Sequence, residues 1–465
     1  LPIMYGCNNF CSYCVVPYTR GREVSREAEP IVEEVRGLVE QGYRDITLLG
    51  QNVNSYGRGT AGGLDFSDLL ARLDAIEGDF WLRFMTSYPK DATPKLFETM
   101  AKGRHIAHQL HLPVQCGNDE VLHEMNRRYT VAQYRELAAF ADLVDAPVVS
   151  TLMGLGAVPA DNPRMLGMLG MHGTHAANIA MQRCDLLIAV GVRFSDRALG
   201  NAETFAAQAK VLHIDIDRAE INKNVSTTLH ITGDARVVLE LLLSRVAQKA
   251  NGQWMQQARS MMEEYLSDEL FEPRKILRQM AAIAPEITVA TDVGQHQMWT
   301  AQHFPFLHPR QLITSGGLGT MGFGLGAAMG AAASDPAGRP VALVTGDGSF
   351  RMNLTELSTI GYYGIPVIVV IFNNGTLGMV RQWQTLFFGH RYSQTTLDRG
   401  PDFMKLAAAY GLSGARVDTV EAFAAAFKAA VEKREPCIIE CMLDIDEMVA
   451  PMVAPGSPID SFCLN

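Results

Sequence analysis

The sequence carries no excess of basic residues. Forty lysines and arginines stand against 50 aspartates and glutamates, a net charge of −10. The balance is similar on both sides of residue 140, with 15 basic and 18 acidic residues up to it and 25 and 32 beyond. Counterion-release binding to nucleic acid, which needs clustered Lys and Arg, is therefore not favoured. No apolar run reaches the length of a membrane span: the segment 316–333 is apolar but glycine-rich, and 365–372 is too short. A disulfide framework is also missing. Cys7, Cys11 and Cys14 crowd together, whereas Cys116, Cys184, Cys437, Cys441 and Cys463 are scattered. With no secretory signal pattern, this cysteine usage points to a reducing compartment, so a cytoplasmic location is expected. There is no internal repeat and no low-complexity tail. The first residue is Leu1 rather than Met, which points to a fragment.

What is present is an ordinary globular composition, 48% hydrophobic and 19% charged, so disorder is excluded. At 465 residues the chain is too long for one core, and two to four domains are expected. Apolar β-rich runs alternate with helical patterns nearly throughout, which predicts an α/β fold with parallel sheets and crossover helices. The first part reads as four βα units. Strands are expected at 2–5, 45–49, 81–86 and 108–112, with helices over 30–41, 66–76, 93–102 and within 119–141. Strands at 147–152, 186–190 and 211–216 read as a nucleotide-fold domain. A polar stretch over 244–272 reads as helix and linker. Runs at 288–291, 341–345, 367–372 and 437–441 read as buried strands of a last domain. The expected division is 1–140, 141–250, a linker over 251–272, and 273–465.

Two chemical signatures stand apart. Cys7-x3-Cys11-x2-Cys14 places three thiolates on a short loop, enough to ligate three irons of a four-iron cluster and leave the fourth open. A zinc site is the alternative, but zinc usually takes a fourth Cys or His at matching spacing, and none is near. The second signature is Gly346-Asp347-Gly348-Ser349, with Asn374 following Asp347 by 27 residues in an Asn373-Asn374 pair. Magnesium prefers hard oxygen ligands and substrate phosphates, which a carboxylate and an amide oxygen suit. A lone Gly-Asp-Gly is more often a turn; the pairing with Asn-Asn just past a second buried strand is what gives it weight.

The flanks carry two family resemblances. Residues 1–21 around the cysteines, Gly50-Gln51-Asn52-Val53-Asn54-Ser55-Tyr56, and His111-Leu112-Pro113-Val114-Gln115-Cys116-Gly117-Asn118 resemble the radical S-adenosylmethionine (SAM) methylthiotransferases, in the branch that thiolates tRNA adenosine. The resemblance covers about 1–138. It implies a partial (β/α) barrel, a 4Fe-4S cluster on Cys7, Cys11 and Cys14, S-adenosylmethionine at the open iron, and tRNA as a partner. The family's second-cluster domain, two of its six barrel units and its RNA-binding domain have no counterpart here.

Asp292 through Trp299, Ser315 through Gly322, and Met379-Val380-Arg381-Gln382-Trp383 resemble thiamine-diphosphate enzymes, most closely the acetolactate synthase catalytic subunit, over about 142–465. The resemblance implies two doubly wound parallel-sheet domains. Asp347, Asn374 and the Thr376 carbonyl would ligate Mg2+. Val293, Gly294, Gln295, His296, Gly346, Gly348 and Ser349 would surround the diphosphate. Met321 would bend the cofactor, Gly319 and Met379 would hold its pyrimidine, and Trp383 would line the substrate channel. The bland alternative for Met321 and Trp383 is core packing. In the central domain Leu169, Gly170, Met171, His172, Gly191, Arg193, Arg197, Asp215 and Asp234 would hold FAD as a structural cofactor. Ser195 stands where that family usually has Asp. The family's first domain, with the glutamate that protonates the aminopyrimidine, has no counterpart in 1–140.

The implied activity is decarboxylation of pyruvate and carboligation to a second 2-oxo acid, such as pyruvate or 2-oxobutyrate, in branched-chain amino-acid synthesis. A homodimer or tetramer with a small regulatory subunit is the implied assembly. The two resemblances meet inside one helical pattern, where Leu137, Phe140 and Val144 keep helical spacing. A join that cuts both families inside an element, rather than at a linker, points to a chimeric chain. Two further expectations therefore stand beside the carboligase: tRNA methylthiolation by the first part, and a fragment that binds cofactors without turnover.

Overall fold

Residues 1–6, 21–50, 52–57, 63–84, 93–107, 135–263, 272–335 and 337–464 are described in a computed structural model. They fall into two compact units, Leu1–Ala132 with Asp215–Lys223, and Gln133–Ile214 with Asn224–Asn465.

In the first unit, β1 (Met4–Tyr5) pairs antiparallel with β2 (Val24–Ser25), which brings together the two ends of the segment holding the three cysteines. Gly6 is needed there. Its φ is +71°, and a Cβ would collide with the Arg22 carbonyl. Pro2 bridges in parallel to Leu49, just beyond β3 (Asp45–Leu48). β3 runs parallel to β4 (Trp81–Phe84), and Leu82 bridges in parallel to Ile106. Helices Ala28–Glu40, Phe66–Asp74 and Pro94–Lys102 intervene, so three of the four expected βα units are present. The first helix buries Ala28, Ile31, Val32 and Val35, spaced at three and four residues. Asp65 and Asp68 form a reciprocal capping box at the start of the second. The fourth expected unit, and Cys7, Cys11 and Cys14, lie outside the described residues.

The second unit opens with helix Arg135–Val144, at the expected meeting point of the two resemblances. Leu137 and Ala138 pack on the large core of this unit. Arg164 donates to Asp142 at 2.6 Å and to Asp145 at 2.7 Å, and its guanidinium holds the Asp145 carboxyl below the usual range. β5 (Val148–Ser150) runs parallel to β6 (Met165–Met168), and β7 (Leu186–Val190) to β8 (Lys210–Asp215), which β9 (Leu229–Thr232) follows. Helix Ala235–Leu243 follows β9, and the polar stretch after it contains helix Gly252–Glu263.

The tightest device in this region is Asn178, wholly buried in helix His175–Arg183. Its amide nitrogen donates to the carbonyls of Gly170 and Ile459, both at 2.9 Å, and its oxygen accepts from Gly170 N–H at 2.9 Å. Asn178→Ala strands the Gly170 N–H and the Ile459 carbonyl, while the Gly170 carbonyl keeps Gly173 N–H, and is expected to lower unfolding stability in urea by about 3 kcal/mol. An unchanged urea midpoint would show that these bonds carry no stability.

The last sheet has six parallel strands in the order β11-β10-β12-β13-β15-β14: Leu312–Ile313, Thr288–Thr291, Val341–Gly346, Val367–Asn373, Cys437–Met442 and Ser413–Val417. Its central strands are apolar on both faces. Ala342, Val344, Ile368, Val370 and Phe372 join one core. Val341, Leu343, Val367, Val369 and Ile371 join the other. Helices cover each face, as burial on both sides demands. Helix Val420–Lys433, for example, lays Phe423, Phe427 and Ala430 into the first core, with Thr419 capping its start. From β10 the chain crosses outward to β11, then returns to the other side of β10 to make β12 and continues to β13. Opposite crossovers leave a crevice at the carboxyl ends of β10 and β12, where open α/β sheets hold ligands. β16 (Met452–Val453) and β17 (Phe462–Leu464) close the described chain as an antiparallel pair.

Candidate active site

Both halves of the Asp347 and Asn374 signature come to that crevice. Gly346, the last residue of β12, is level with Phe372 on β13. Asp347 and Asn374 therefore leave neighbouring strands side by side. Asp347 is 1% exposed, and its Oδ2 is buried without a hydrogen-bond partner. Burial pushes its carboxyl up to about 6, against the pull of the Arg351 guanidinium 3.9 Å away. A buried carboxylate left this way is costly unless something cationic completes it. Asn374 commits its amide nitrogen to Gln295 Oε1 at 3.0 Å, which leaves its oxygen as the end that can serve a cation. Thr376 donates its hydroxyl to the Thr395 carbonyl at 2.9 Å, and Leu397 N–H donates to the Gly375 carbonyl at 2.8 Å. The loop 374–376 is thus clamped against 395–397. Among the described residues no group of three or more His, Cys, Asp or Glu is placed to hold a metal. Asp347 and Asn374 bring a carboxylate and an amide oxygen instead.

The β10 end completes the crevice. Gly294 has φ +152° and precedes helix Gln295–His303. The His296 ring lies so close to Gly294 and Gly346 that a Cβ on either would sit 2.9 Å from it. Burial lowers His296 to about 3, so it stays neutral, and its Nε2 is buried without a partner. Ser349 donates to the Val293 carbonyl at 2.7 Å, joining the ends of β10 and β12. A Cβ on Gly348 would stand 2.8 Å from Leu377 Cδ2. Asp292, raised by its burial, accepts from Gly322 N–H at 2.7 Å and so holds the loop bearing Gly319 and Met321. Gly319 is exposed with φ +64°, and Met321 is half-buried.

Met379 and Trp383, one turn apart on helix Gly378–Phe387, line an open cleft of about 640 Å³ with Gln384, Phe388, Arg391 and Ser393. Met321 is not among its lining residues. Behind the cleft Gln382 is buried. It accepts from Gln295 Nε2 at 3.0 Å and Val449 N–H at 2.9 Å, and donates to the Val449 carbonyl at 3.0 Å. Arg381 pairs with Asp446 at 2.7 Å and lies 3.9 Å over the Tyr392 ring. Gln382, Asn373 and Glu440 carry connections that spacing alone does not reveal. The signal for Glu440 is a lone charge inside the apolar run 437–442.

In the central region Leu169, Gly170 and Met171 form a buried turn after β6, and Met171 N–H donates to the Arg197 carbonyl at 2.8 Å. His172 is lowered to about 4 by burial and by Arg197, and its Nε2 has no partner. Gly191, with φ +63°, follows β7, and Arg193 and Arg197 are exposed. Asp215 ends β8. Asp234 caps helix Ala235–Leu243 by accepting from Arg236 and Val237 N–H.

A doubly wound sheet with a buried carboxylate and a side-chain amide side by side at its switch point is an arrangement suited to a diphosphate-binding enzyme. Residues 130–242 match the thiamine pyrophosphate enzyme central domain, and residues 292–441 match the C-terminal TPP binding domain. The second part of the chain therefore carries these two domains of the thiamine pyrophosphate enzymes, and residues 1–166 match the radical SAM superfamily. Among curated proteins the chain is similar to acetolactate synthase large subunits. It is 43% identical over 336 residues to the probable large subunit of Methanocaldococcus jannaschii, covering 69% of this chain and 56% of that protein. It is 44% identical over 328 residues to the isozyme 2 large subunit of Escherichia coli K12, covering 69% and 59%. It is 41% identical over 349 residues to the mitochondrial catalytic subunit of Saccharomyces cerevisiae, covering 70% and 50%. The chain thus spans between half and three fifths of these relatives. The radical SAM and central-domain matches overlap over residues 130–166, which agrees with a chimera.

Proposed function

We propose that the second unit is the cofactor-binding part of an acetolactate synthase. It would act on pyruvate, releasing carbon dioxide and joining the remaining two-carbon unit to the keto carbon of a second 2-oxo acid. The products would be 2-acetolactate or 2-aceto-2-hydroxybutyrate. The observation that carries this reading is the buried, unpartnered Asp347 carboxylate beside Asn374 at the switch point. Such a site would suit a divalent cation and the phosphates of a diphosphate. Asp347, Asn374 and the Thr376 carbonyl would hold Mg2+. Gly294, Gln295, His296, Gly348 and Ser349, with Val293 and Gly346, would hold the diphosphate. Bound there, thiamine diphosphate supplies the electron sink for decarboxylation. Met321, Gly319 and Met379 would orient it, and Trp383 would shape the entry cleft. FAD would lie against the turn at Gly170 and His172, in a structural role. A homodimer or tetramer, a small regulatory subunit and a cytoplasmic location belong to this reading. Among the described residues no helix is long and apolar enough to cross a membrane. Titration calorimetry of the full chain with thiamine diphosphate should show Mg2+-dependent binding; its absence defeats the proposal.

The radical SAM match favours a second reading for residues 1–138: tRNA methylthiolation, with a 4Fe-4S cluster on Cys7, Cys11 and Cys14 and S-adenosylmethionine. Anaerobic reconstitution should then load about four irons, and Cys11→Ala should prevent it. The overlap over 130–166 favours a third, a chimeric chain that binds cofactors without turnover. Acetolactate formation by the purified chain would refute that reading, and resequencing source DNA across codons 130–150 would test the join.

A further inference from the structure

We propose that Glu440 is a positioning residue for the cation loop, acting through Asn373; this rests on the thiamine-diphosphate reading above. Glu440 is the one charged residue of β15, and it is 2% exposed. Its strand lies between β13 and β14, with Ile371 and Arg416 level with it on either side. Oε2 accepts from Arg416 Nε at 2.7 Å, and Oε1 accepts from Asn373 Nδ2 at 2.6 Å. Asn373 Oδ1 in turn accepts from Gly375 N–H at 3.0 Å. A continuous line of hydrogen bonds therefore runs from Arg416 through Glu440 and Asn373 to Gly375. It ends between Asn374 and Thr376, the two loop residues that would face the cation.

Arg416 is exposed but Glu440 is not, and a buried carboxylate in a strand is not explained by stability, since apolar residues of like volume serve a core as well or better. What this pair supplies is orientation. Asn373 cannot rotate without losing both partners, and Gly375, at φ +65°, cannot shift without breaking the line. Gln295 fixes Asn374 from the opposite side. The carboxylate also sets a negative charge behind the site. Partners behind metal ligands, which touch no metal themselves, act in this way.

The test uses Mn2+, which takes the same octahedral oxygen set as Mg2+. Free Mn2+ is counted by electron paramagnetic resonance in the presence of thiamine diphosphate. Glu440→Ala should raise the Mn2+ dissociation constant about 10- to 100-fold. Asn373→Ala leaves Glu440 paired with Arg416, which keeps the fold, and should give the same loss. Glu440→Gln keeps an oxygen for Asn373 and should recover most of the affinity. A purely structural role predicts lower melting temperatures with wild-type Mn2+ affinity in both alanine variants, and that result overturns the inference alone. A wild-type chain that binds neither Mn2+ nor thiamine diphosphate overturns the underlying reading, and the inference with it.

Discussion

Asp347→Ala is expected to eliminate Mg2+-dependent thiamine diphosphate binding while leaving the unliganded chain no less stable than wild type. The two effects have one cause. Asp347 is almost fully buried and its Oδ2 lacks a partner, so in the unliganded chain the carboxylate is a burden. A buried polar atom left unpaired costs about 1–3 kcal/mol, and alanine removes that cost. A bound cation would turn the same carboxylate from liability to ligand. Loss of a residue that merely supports a ligand weakens metal binding about 10- to 100-fold, so loss of the ligand itself should exceed that. Calorimetry reads the binding, and paired melts with and without cofactor read the stability. Wild type should gain about 2.7 kcal/mol at a ligand concentration of 100 Kd, and the variant nothing. Binding by the variant within tenfold of wild type would remove Asp347 from the site.

Gly170→Ala should be the most damaging single change in the central region. The backbone at Gly170 has φ +116°, which side chains with a Cβ rarely adopt. A Cβ there would collide with the Arg197 carbonyl and stand 2.9 Å from Ala198 Cα. Both are backbone atoms, so no side-chain rotation relieves the clash. Strain at such a position costs about 1–3 kcal/mol and overpacking a similar amount, about 4 kcal/mol together. Because Asn178 bonds both the N–H and the carbonyl of Gly170, the damage should be less than additive with Asn178→Ala in a double-mutant cycle. Urea unfolding measures both. A loss under 1 kcal/mol would show that the turn relaxes. If FAD uses this turn, the variant should also emerge from purification without flavin absorbance.

The placement of the candidate site residues in the second unit was legible in the sequence, for physical reasons. Asp347 and Asn374 follow two apolar runs whose residues are buried on both faces, so their places at strand ends follow from the runs themselves. Met379 and Trp383 are one helical turn apart, which puts them on one face. Other features needed register. Glu440 is visible as a charge in an apolar run, but its partners Asn373 and Arg416 are 67 and 24 residues away. β14, Ser-Gly-Ala-Arg-Val, has no apolar run, and β15 holds it in the sheet by pairing. β6 contains Gly167 and β11 is only two residues long, so neither shows a strand's alternation. In the first unit, 2–5 was expected as one strand of a parallel sheet. Pro2 does bridge in parallel to Leu49, while Met4 and Tyr5 also pair antiparallel with β2, a partner the apolar pattern did not reveal.

The side-chain amides behind the cleft have a consequence for exchange with solvent. Asn374 donates to Gln295, Gln295 to Gln382, and Val449 N–H donates to Gln382. The proton on Val449 is thus tied to the opening of a loop that it does not touch. Deuterium uptake at Val449 should slow when cofactor and Mg2+ arrive, although neither would contact that residue. A single backbone amide on the far side of the helix thereby becomes a clock for how often the cation end of the crevice comes apart.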